Sequence, residues 1–192
     1  MQKFNGYEAK KAYGAREILP AGGYVCRIDG AKEEVYNTRN GDMHVLVLAI
    51  EVIEGEYTGF WKRDFDNNPN EDKKWRGTMR LNVPKDDGSE MDGWTKNAFN
   101  NAMWAVEASN PGYVWNWDER TLKGKTVGMI YRNREWERDG NTGWTTEAGS
   151  LTSPDDIRNG TFKKLKDKPL KNTPVATPTF TDVSDDDGEL PF

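Results

Sequence analysis

Cysteine and histidine are almost absent from this sequence, and long apolar runs are absent altogether. Its 192 residues include 1 cysteine, Cys26, and 1 histidine, His44, which excludes an internal disulfide and a zinc site built from several such ligands. Cys26 alternates with Tyr24 and Ile28, so we expect a buried strand position. No stretch approaches the roughly 20 apolar residues of a membrane span, and no signal-peptide core is seen. The sequence indicates a soluble, cytoplasmic protein without metal or other cofactor.

The net charge of −5 comes entirely from one end of the chain. Residues 182–192 contain five acids and no base: Asp182, Asp185, Asp186, Asp187 and Glu189. Removing these five from the 32 acids of the chain leaves 27, which balance the 27 lysines and arginines. The body of the protein is therefore neutral on average and can carry a basic face. A local positive run, "KKLKDKPLK", lies just before the tail.

Composition divides the chain into four parts. Only 35% of the residues are hydrophobic and 31% are charged, so part of the chain is not expected to fold. We interpret residues 1–17 as an N-terminal arm and 18–167 as one folded domain. Residues 168–181 form a flexible linker rich in Pro and Thr, and 182–192 form an acidic tip.

The folded domain shows the alternation of β-strands. Strands are predicted in "LPAGGYVCRIDGAKEEVY" and, after an Asn-Gly hairpin signal, in "MHVLVLAIEVIEG". Alternation resumes in "FWKRDF", and strand character returns after a polar loop in "TMRLNV". Two later segments, "GKTVGMIYRNREWE" and "WTTEAGSLTS", flank an Asp-Gly-Asn turn, and "SPDDIRNGTF" closes the domain with a short helical turn.

One amphipathic helix interrupts these strands. Apolar residues recur at helical spacing: Trp94, Ala98, Phe99, Ala102, Met103 and Val106. Tyr113, Trp115 and Trp117 follow, and we expect them to pack against the helix. Three strands, a helix and two strands are the connectivity of a five-stranded OB-fold barrel. A β-sandwich could share the strand count, but the place of the helix favours the OB-fold.

Arginine and aromatic residues suggest that single-stranded DNA binds to this domain. Cations would follow the phosphates, and rings would stack on the bases. In an extended strand four residues point the same way: Arg132, Arg134, Trp136 and Arg138. Weaker candidates lie elsewhere: Trp61, Arg63, Phe65, Trp75, Arg76, Arg80 and Trp144. Which face of residues 60–65 is buried stays open, and a merely solvated strand would also explain the arginines.

Catalysis has little support in the sequence. Paired carboxylates occur at Asp64/Asp66, Asp86/Asp87 and Asp118/Glu119, but each pair lies in or beside a turn, where Asp is common. We therefore expect a protein that is not an enzyme. The alternatives are a non-catalytic β-type ligand or adaptor module and, less favoured, a metal-dependent nuclease.

The last eight residues, "DDDGELPF", resemble the acidic tip of bacterial and phage single-stranded-DNA-binding proteins. The resemblance implies that the tip recruits replication and recombination proteins. Phe192 would enter an apolar pocket while its carboxylate pairs with a cation, and the acids would speed the encounter. The partner-binding residues on this interpretation are Asp185, Asp186, Asp187, Leu190, Pro191 and Phe192.

The body of the chain resembles phage-encoded OB-type proteins of replication modules. The resemblance spans residues 19–164 and is carried by "LPAGGY", "EGEYTG", "DKKWRGTMRLNVPKDDGSE", "SNPGY", "LKGKTVG" and "DIRNGTFK". It implies sequence-independent binding and protection of single-stranded DNA during phage replication or recombination, in the host cytoplasm. A homo-oligomer is possible, and no membrane partner is expected.

Overall fold

The structure is a computed structural model that describes residues 16–39 and 41–170. Its elements in chain order are β1 (Gly22–Thr38), β2 (Gly41–Val52), α1 (Phe60–Asp66), β3 (Thr78–Asn82), α2 (Glu90–Ser109), a 3-10 helix (Glu119–Leu122), β4 (Thr126–Arg138), β5 (Asn141–Thr152) and α3 (Pro154–Asn159). The acidic tip lies outside the described residues, as do residues 1–15 of the predicted arm.

The five strands form one antiparallel sheet in the order β3-β2-β1-β4-β5. β1 joins its two halves: residues 22–27 pair with β4, and residues from Cys26 to Thr38 pair with β2. An irregularity between Ile28 and Gly30 changes the register there. The predicted mainly β class and the sequence of three strands, helix and two strands are confirmed.

One face of the sheet packs against α2 and forms the core. β2 contributes Leu46, Leu48 and Ile50, which are all buried, and α2 contributes Phe99 and Met103. Burying a side chain of this size stabilises the fold by about 1.5–3 kcal/mol. We call this side of the sheet the core side and the opposite side the outer face. Cys26 is fully buried in the core, as predicted.

The first turns of α2 differ from the prediction. Trp94 and Ala98 were expected in the core, yet both are exposed, Trp94 by 69%. Asp92 is buried instead because its carboxylate accepts the backbone N–H groups of Lys85 (2.8 Å) and Asp86 (3.2 Å). Residues two apart on a helix point to nearly opposite sides, so burying Asp92 turns Trp94 toward solvent.

The strand predicted at "FWKRDF" is wrong, because these residues form α1. Buried Glu51, near the end of β2, accepts the backbone N–H groups of Trp61 (3.0 Å) and Lys62 (2.7 Å). It thereby satisfies first-turn donors that the helix itself leaves unpaired. A carboxylate ten residues away thus stabilises a helix whose own residues alternate like a strand.

The chain after β5 covers part of the outer face. Phe162 lies over Gly23, where an added Cβ would come within 2.7 Å of the ring, and Leu165 lies over Gly149. Lys168 then forms a parallel bridge with β4: its N–H donates to Asn133 and its carbonyl accepts from Glu135, both at 2.9 Å. Residues 168–170, assigned to the flexible linker by composition, lie against β4 in the structure.

Candidate nucleic-acid interface

The outer face of β4 displays the arginine row that the sequence predicts. Val127, Met129 and Tyr131 are buried in the core, so the alternate residues of the strand face outward. The outward set beyond the core is Arg132, Arg134, Trp136 and Arg138. Together with Lys168 we call these five residues the β4 patch.

Three cations of the β4 patch share one carboxylate. Glu147 of β5 is the cross-strand neighbour of Arg132, and Arg132 Nη2 lies 2.7 Å from its Oε1. Lys168 Nζ lies 3.3 Å from the same oxygen, and Arg134 Nε lies 3.6 Å from Oε2. The cluster therefore keeps a net charge of about +2 at neutral pH.

The pKa of Glu147 reflects its surroundings. Partial burial acts to raise the pKa, but hydrogen bonds from Arg132 and Lys168 outweigh it and lower the pKa below that of an ordinary glutamate. Glu147 therefore stays ionised near neutral pH, and it holds the three cations together against their mutual repulsion.

Trp136 gives the β4 patch an accessible ring. Its side chain is 37% exposed, and it lies across Gly143, its cross-strand neighbour in β5. A Cβ on Gly143 would come within 2.8 Å of the indole Cζ2. The missing side chain of Gly143 thus lets the indole lie on the sheet.

Arg138 and Trp144 lie at the tip of the β4–β5 hairpin. Arg138 pairs with its neighbour Asp139 at 3.4 Å, and both side chains are more than four-fifths exposed, so this pair is weak. Trp144 is 47% exposed but is the cross-strand partner of Glu135. It therefore points to the side opposite Trp136 and does not join the β4 patch.

The three candidates of α1 do not form one exposed face. Trp61 is buried and its indole N–H donates to the Tyr131 hydroxyl at 3.1 Å, so it has no surface to offer a base. Arg63 is exposed and donates to the carbonyl of Thr58. Phe65 is half-buried, and the ammonium of Lys73 lies 4.7 Å from its ring centroid.

The remaining candidates lie on or near the outer face of the other half of the sheet. Trp75 is half-buried and donates its indole N–H to the Gly77 carbonyl at 3.0 Å. Arg76 pairs with Asp64 at 3.3 Å. Arg80 pairs with Glu34 at 3.1 Å and lies over the ring of Tyr36. The structure thus separates these residues from the β4 patch.

The outer face of β1, β2 and β3 carries cations that the sequence analysis missed. Arg27 pairs with Asp29 at 2.5 Å, and Lys32 pairs with Glu34 at 2.7 Å. Hydrogen bonds from Lys32 and Tyr36 lower the pKa of Glu34 to about 2. We call Arg27, Lys32, Arg80 and their carboxylates the β1–β3 surface. The alternation of charges along β1 could have revealed it, whereas nothing local places Lys168 beside Arg134.

A cleft of about 670 Å³ opens at one end of the β1–β3 surface. Residues from β1, β2, α1 and the following loop line it, among them Arg27, Lys62, Phe65 and Trp75. Lys62 pairs with Asp66 at 2.8 Å, and Arg27 pairs with Asp29. These cations of the cleft therefore have carboxylate neighbours, as the other cations of the β1–β3 surface do.

Within residues 16–39 and 41–170, no group of three or more His, Cys, Asp or Glu side chains is placed to hold a metal ion. No helix in these ranges is long and apolar enough to cross a membrane. The tip residues proposed to bind partners lie outside them.

The sequence matches no protein-family model, and no curated protein shows significant similarity to it.

Proposed function

We propose that this protein binds single-stranded DNA with little sequence preference, through the β4 patch and without catalysis. The observation that carries the proposal is the ratio of three cations to one carboxylate around Glu147, beside the exposed ring of Trp136. Phosphates of a bound strand would accept from the N–H groups of these cations in place of Glu147. A base stacked on Trp136 would add about 1–3 kcal/mol with little regard to its identity.

We further propose that the sheet closes into an OB-fold barrel. The strand order leaves β3 and β5 at the two edges, and closing the barrel requires these two strands to meet. Some of their Cα atoms already lie within 8 Å of each other. The order of elements supports this proposal, because α2 comes between β3 and β4, where the OB connectivity has its helix.

The resemblance of the tail and body supports a proposal for the biological role. We propose that the protein protects single-stranded DNA in the host cytoplasm during phage replication or recombination. The acidic tip, with Asp185, Asp186, Asp187, Leu190, Pro191 and Phe192, would recruit partner enzymes. Because residues 168–170 run along β4, the tail would start beside the bound strand and deliver those enzymes to it.

Tryptophan fluorescence tests the DNA-binding proposal. We expect oligo(dT) to quench the emission of the full-length protein, and Trp136→Phe to remove much of that quenching. The matched control is Trp104→Phe, because Trp104 is 61% exposed on α2, away from the patch. Affinity should fall by about 0.7 log units per log unit of salt for each phosphate neutralised. Equal quenching in both variants, or a preference for duplex DNA, would contradict the proposal.

A truncation tests the separate role of the tip. Removing residues 182–192 deletes five acids and no base, so it should preserve or strengthen DNA binding at low salt. The same truncation should abolish the capture of replication proteins. Weaker DNA binding by the truncated protein would contradict this division of roles.

A further inference from the structure

A small aromatic pocket lies on the core side of the sheet, away from the β4 patch. Its volume is about 110 Å³, and its lining includes Phe99 of α2 together with Trp115 and Trp117 from the segment after α2. The ring of Trp117 stacks on that of Phe99, with centroids 5.6 Å apart and planes 9° from parallel. Trp115 lies 6.4 Å from Phe99 and 6.1 Å from Trp117. Three rings thus surround one small space.

Trp117 keeps this position although most of its side chain is exposed to solvent. Its side chain is 69% exposed, and its backbone has φ = 65°, a conformation that bulky residues rarely adopt. Such strain costs about 1–3 kcal/mol and persists only where the surroundings enforce it. Packing against α2, which the sequence predicts for this residue, explains one face of the indole. The other face is left open to solvent.

The charges around the pocket are negative. Glu33 of β1 and Glu119 of the 3-10 helix line it directly. One oxygen of Glu33 lies 2.5 Å from His44 Nδ1, while Glu119 forms no salt bridge with any cation in the described part of the chain. The neighbouring cation, Arg120, already pairs with Asp118: its Nε donates to Oδ1 at 2.8 Å and its Nη2 to Oδ2 at 2.9 Å. This environment repels phosphate and attracts a cation.

We infer that this pocket binds an arginine side chain presented by a protein partner. A planar guanidinium can stack on the open face of Trp117 while its N–H fork reaches Glu119 or Glu33. The aromatic rings can cover a face of such a cation, and the carboxylates can accept its N–H groups.

The position of the pocket allows both surfaces to be used at once. Glu33 and Leu46, which line it, are cross-strand neighbours on the core side of β1 and β2. The β4 patch lies on the outer face. The protein would therefore hold an anionic strand on one side and a cationic partner on the other, and the inference does not depend on DNA binding.

Indole N–H resonances of the ¹⁵N-labelled full-length protein provide the test. The probe is Nα-acetylarginine amide, and the matched control ligand is Nα-acetylcitrulline amide, which has the same shape without the charge. We expect saturable shifts of the Trp115 and Trp117 signals with the arginine compound at millimolar concentrations. Citrulline should produce no comparable shift. Signals are assigned with Trp115→Phe and Trp117→Phe.

Substitutions at the pocket and at a control tryptophan test whether the arginine compound binds at this site. Trp117→Ala should abolish binding, and Glu119→Gln should weaken it by about tenfold, since one charge-assisted hydrogen bond is lost. Trp104→Ala, which removes another exposed indole, should bind like the wild type, and unshifted signals from the remaining indoles show that each variant folds. The inference is overturned if the arginine compound gives no saturable shift, if citrulline shifts the same signals equally, or if oligo(dT) binds there instead.

Discussion

Two parts of the outer face carry arginine, and they differ in how that charge is balanced. On the β1–β3 surface three cations meet two carboxylates, with Arg27 on Asp29 and with Lys32 and Arg80 on Glu34. In the β4 patch Arg132, Arg134 and Lys168 share one carboxylate among the described residues, that of Glu147.

The aromatic rings of the two surfaces also differ, in whether a cation already lies over the ring. On the β1–β3 surface the guanidinium of Arg80 lies 5.8 Å from the ring centroid of Tyr36, so the ring already has a cation of its own. In the β4 patch Trp136 lies over Gly143, and its side chain is 37% exposed. We therefore expect phosphate binding to depend on the cations left over after internal pairing rather than on the number of arginines.

The largest effect should come from removing two arginines of the β4 patch. Arg132→Ala with Arg134→Ala should lower the affinity for oligo(dT) by about tenfold to a hundredfold at low salt, because two charge-assisted contacts to phosphate are lost. The slope of log affinity against log salt should fall by about 1.4. Equilibrium titrations at several salt concentrations measure both quantities.

The matched control removes two arginines from the β1–β3 surface. Arg27→Ala with Arg80→Ala deletes the same charge but should leave affinity and salt slope near the wild-type values. If the two double variants lose affinity equally, net charge alone governs binding and the contrast between the two surfaces does not hold.

A smaller effect should follow from moving the ring of Trp136 without changing any charge. Gly143→Ala puts a Cβ within 2.8 Å of the indole, so the ring must shift from the sheet. We expect a loss of affinity of about fivefold, less than the full stacking contribution of a base. Gly30→Ala is the control, because a Cβ there meets nothing within 4 Å. Unchanged affinity in Gly143→Ala would show that the indole position is irrelevant.

Removing the shared carboxylate should act in the opposite direction. Glu147→Gln frees three cations from their internal partner and should raise affinity by about threefold, a modest gain because partly exposed ion pairs are weak. Glu34→Gln likewise frees Lys32 and Arg80 on the β1–β3 surface, and it should raise affinity less than Glu147→Gln does, because the strand is expected to bind at the β4 patch. A loss of DNA binding in Glu147→Gln would mean that Glu147 positions the arginines for DNA.

The smallest effect concerns pH and stability. Because the pKa of Glu147 is lowered on folding, its ion pairs stabilise the protein fully above the ordinary glutamate pKa of about 4.3. That contribution is lost only as the pH falls through the lowered value. The difference in Tm between wild type and Glu147→Gln should therefore stay constant from neutral pH to about pH 5 and shrink below it, and should correspond to at most about 1 kcal/mol. A Tm difference that disappears near neutral pH would contradict this prediction.

Local patterns were sufficient to predict much of the fold. Alternation located the strands, and helical spacing located α2. In the structure that helix follows Ser89, a polar cap whose side chain accepts from the Asp92 N–H. The failures have long-range causes. Glu51 turns residues 60–66 into a helix, and Asp92 takes the core position expected for Trp94. Neither partner can be identified from local periodicity.

The candidate site was predictable only within a single strand. The row from Arg132 to Arg138 follows from the alternation of β4. Its charge balance does not, because Glu147 and Lys168 come from β5 and from the chain after α3. The same limit applies to the pocket at Trp117, whose acids come from β1 and the 3-10 helix.

The most direct measurement is to map where the strand binds. Backbone amide shifts of the full-length ¹⁵N-labelled protein, recorded with and without a short oligo(dT), locate the contact residue by residue. We expect the largest shifts at residues 132–138 and 168, with the Trp136 indole, and little change at Arg27, Lys32 and Arg80. Shifts centred on the β1–β3 surface, or none at residues 132–138, would contradict DNA binding at the β4 patch.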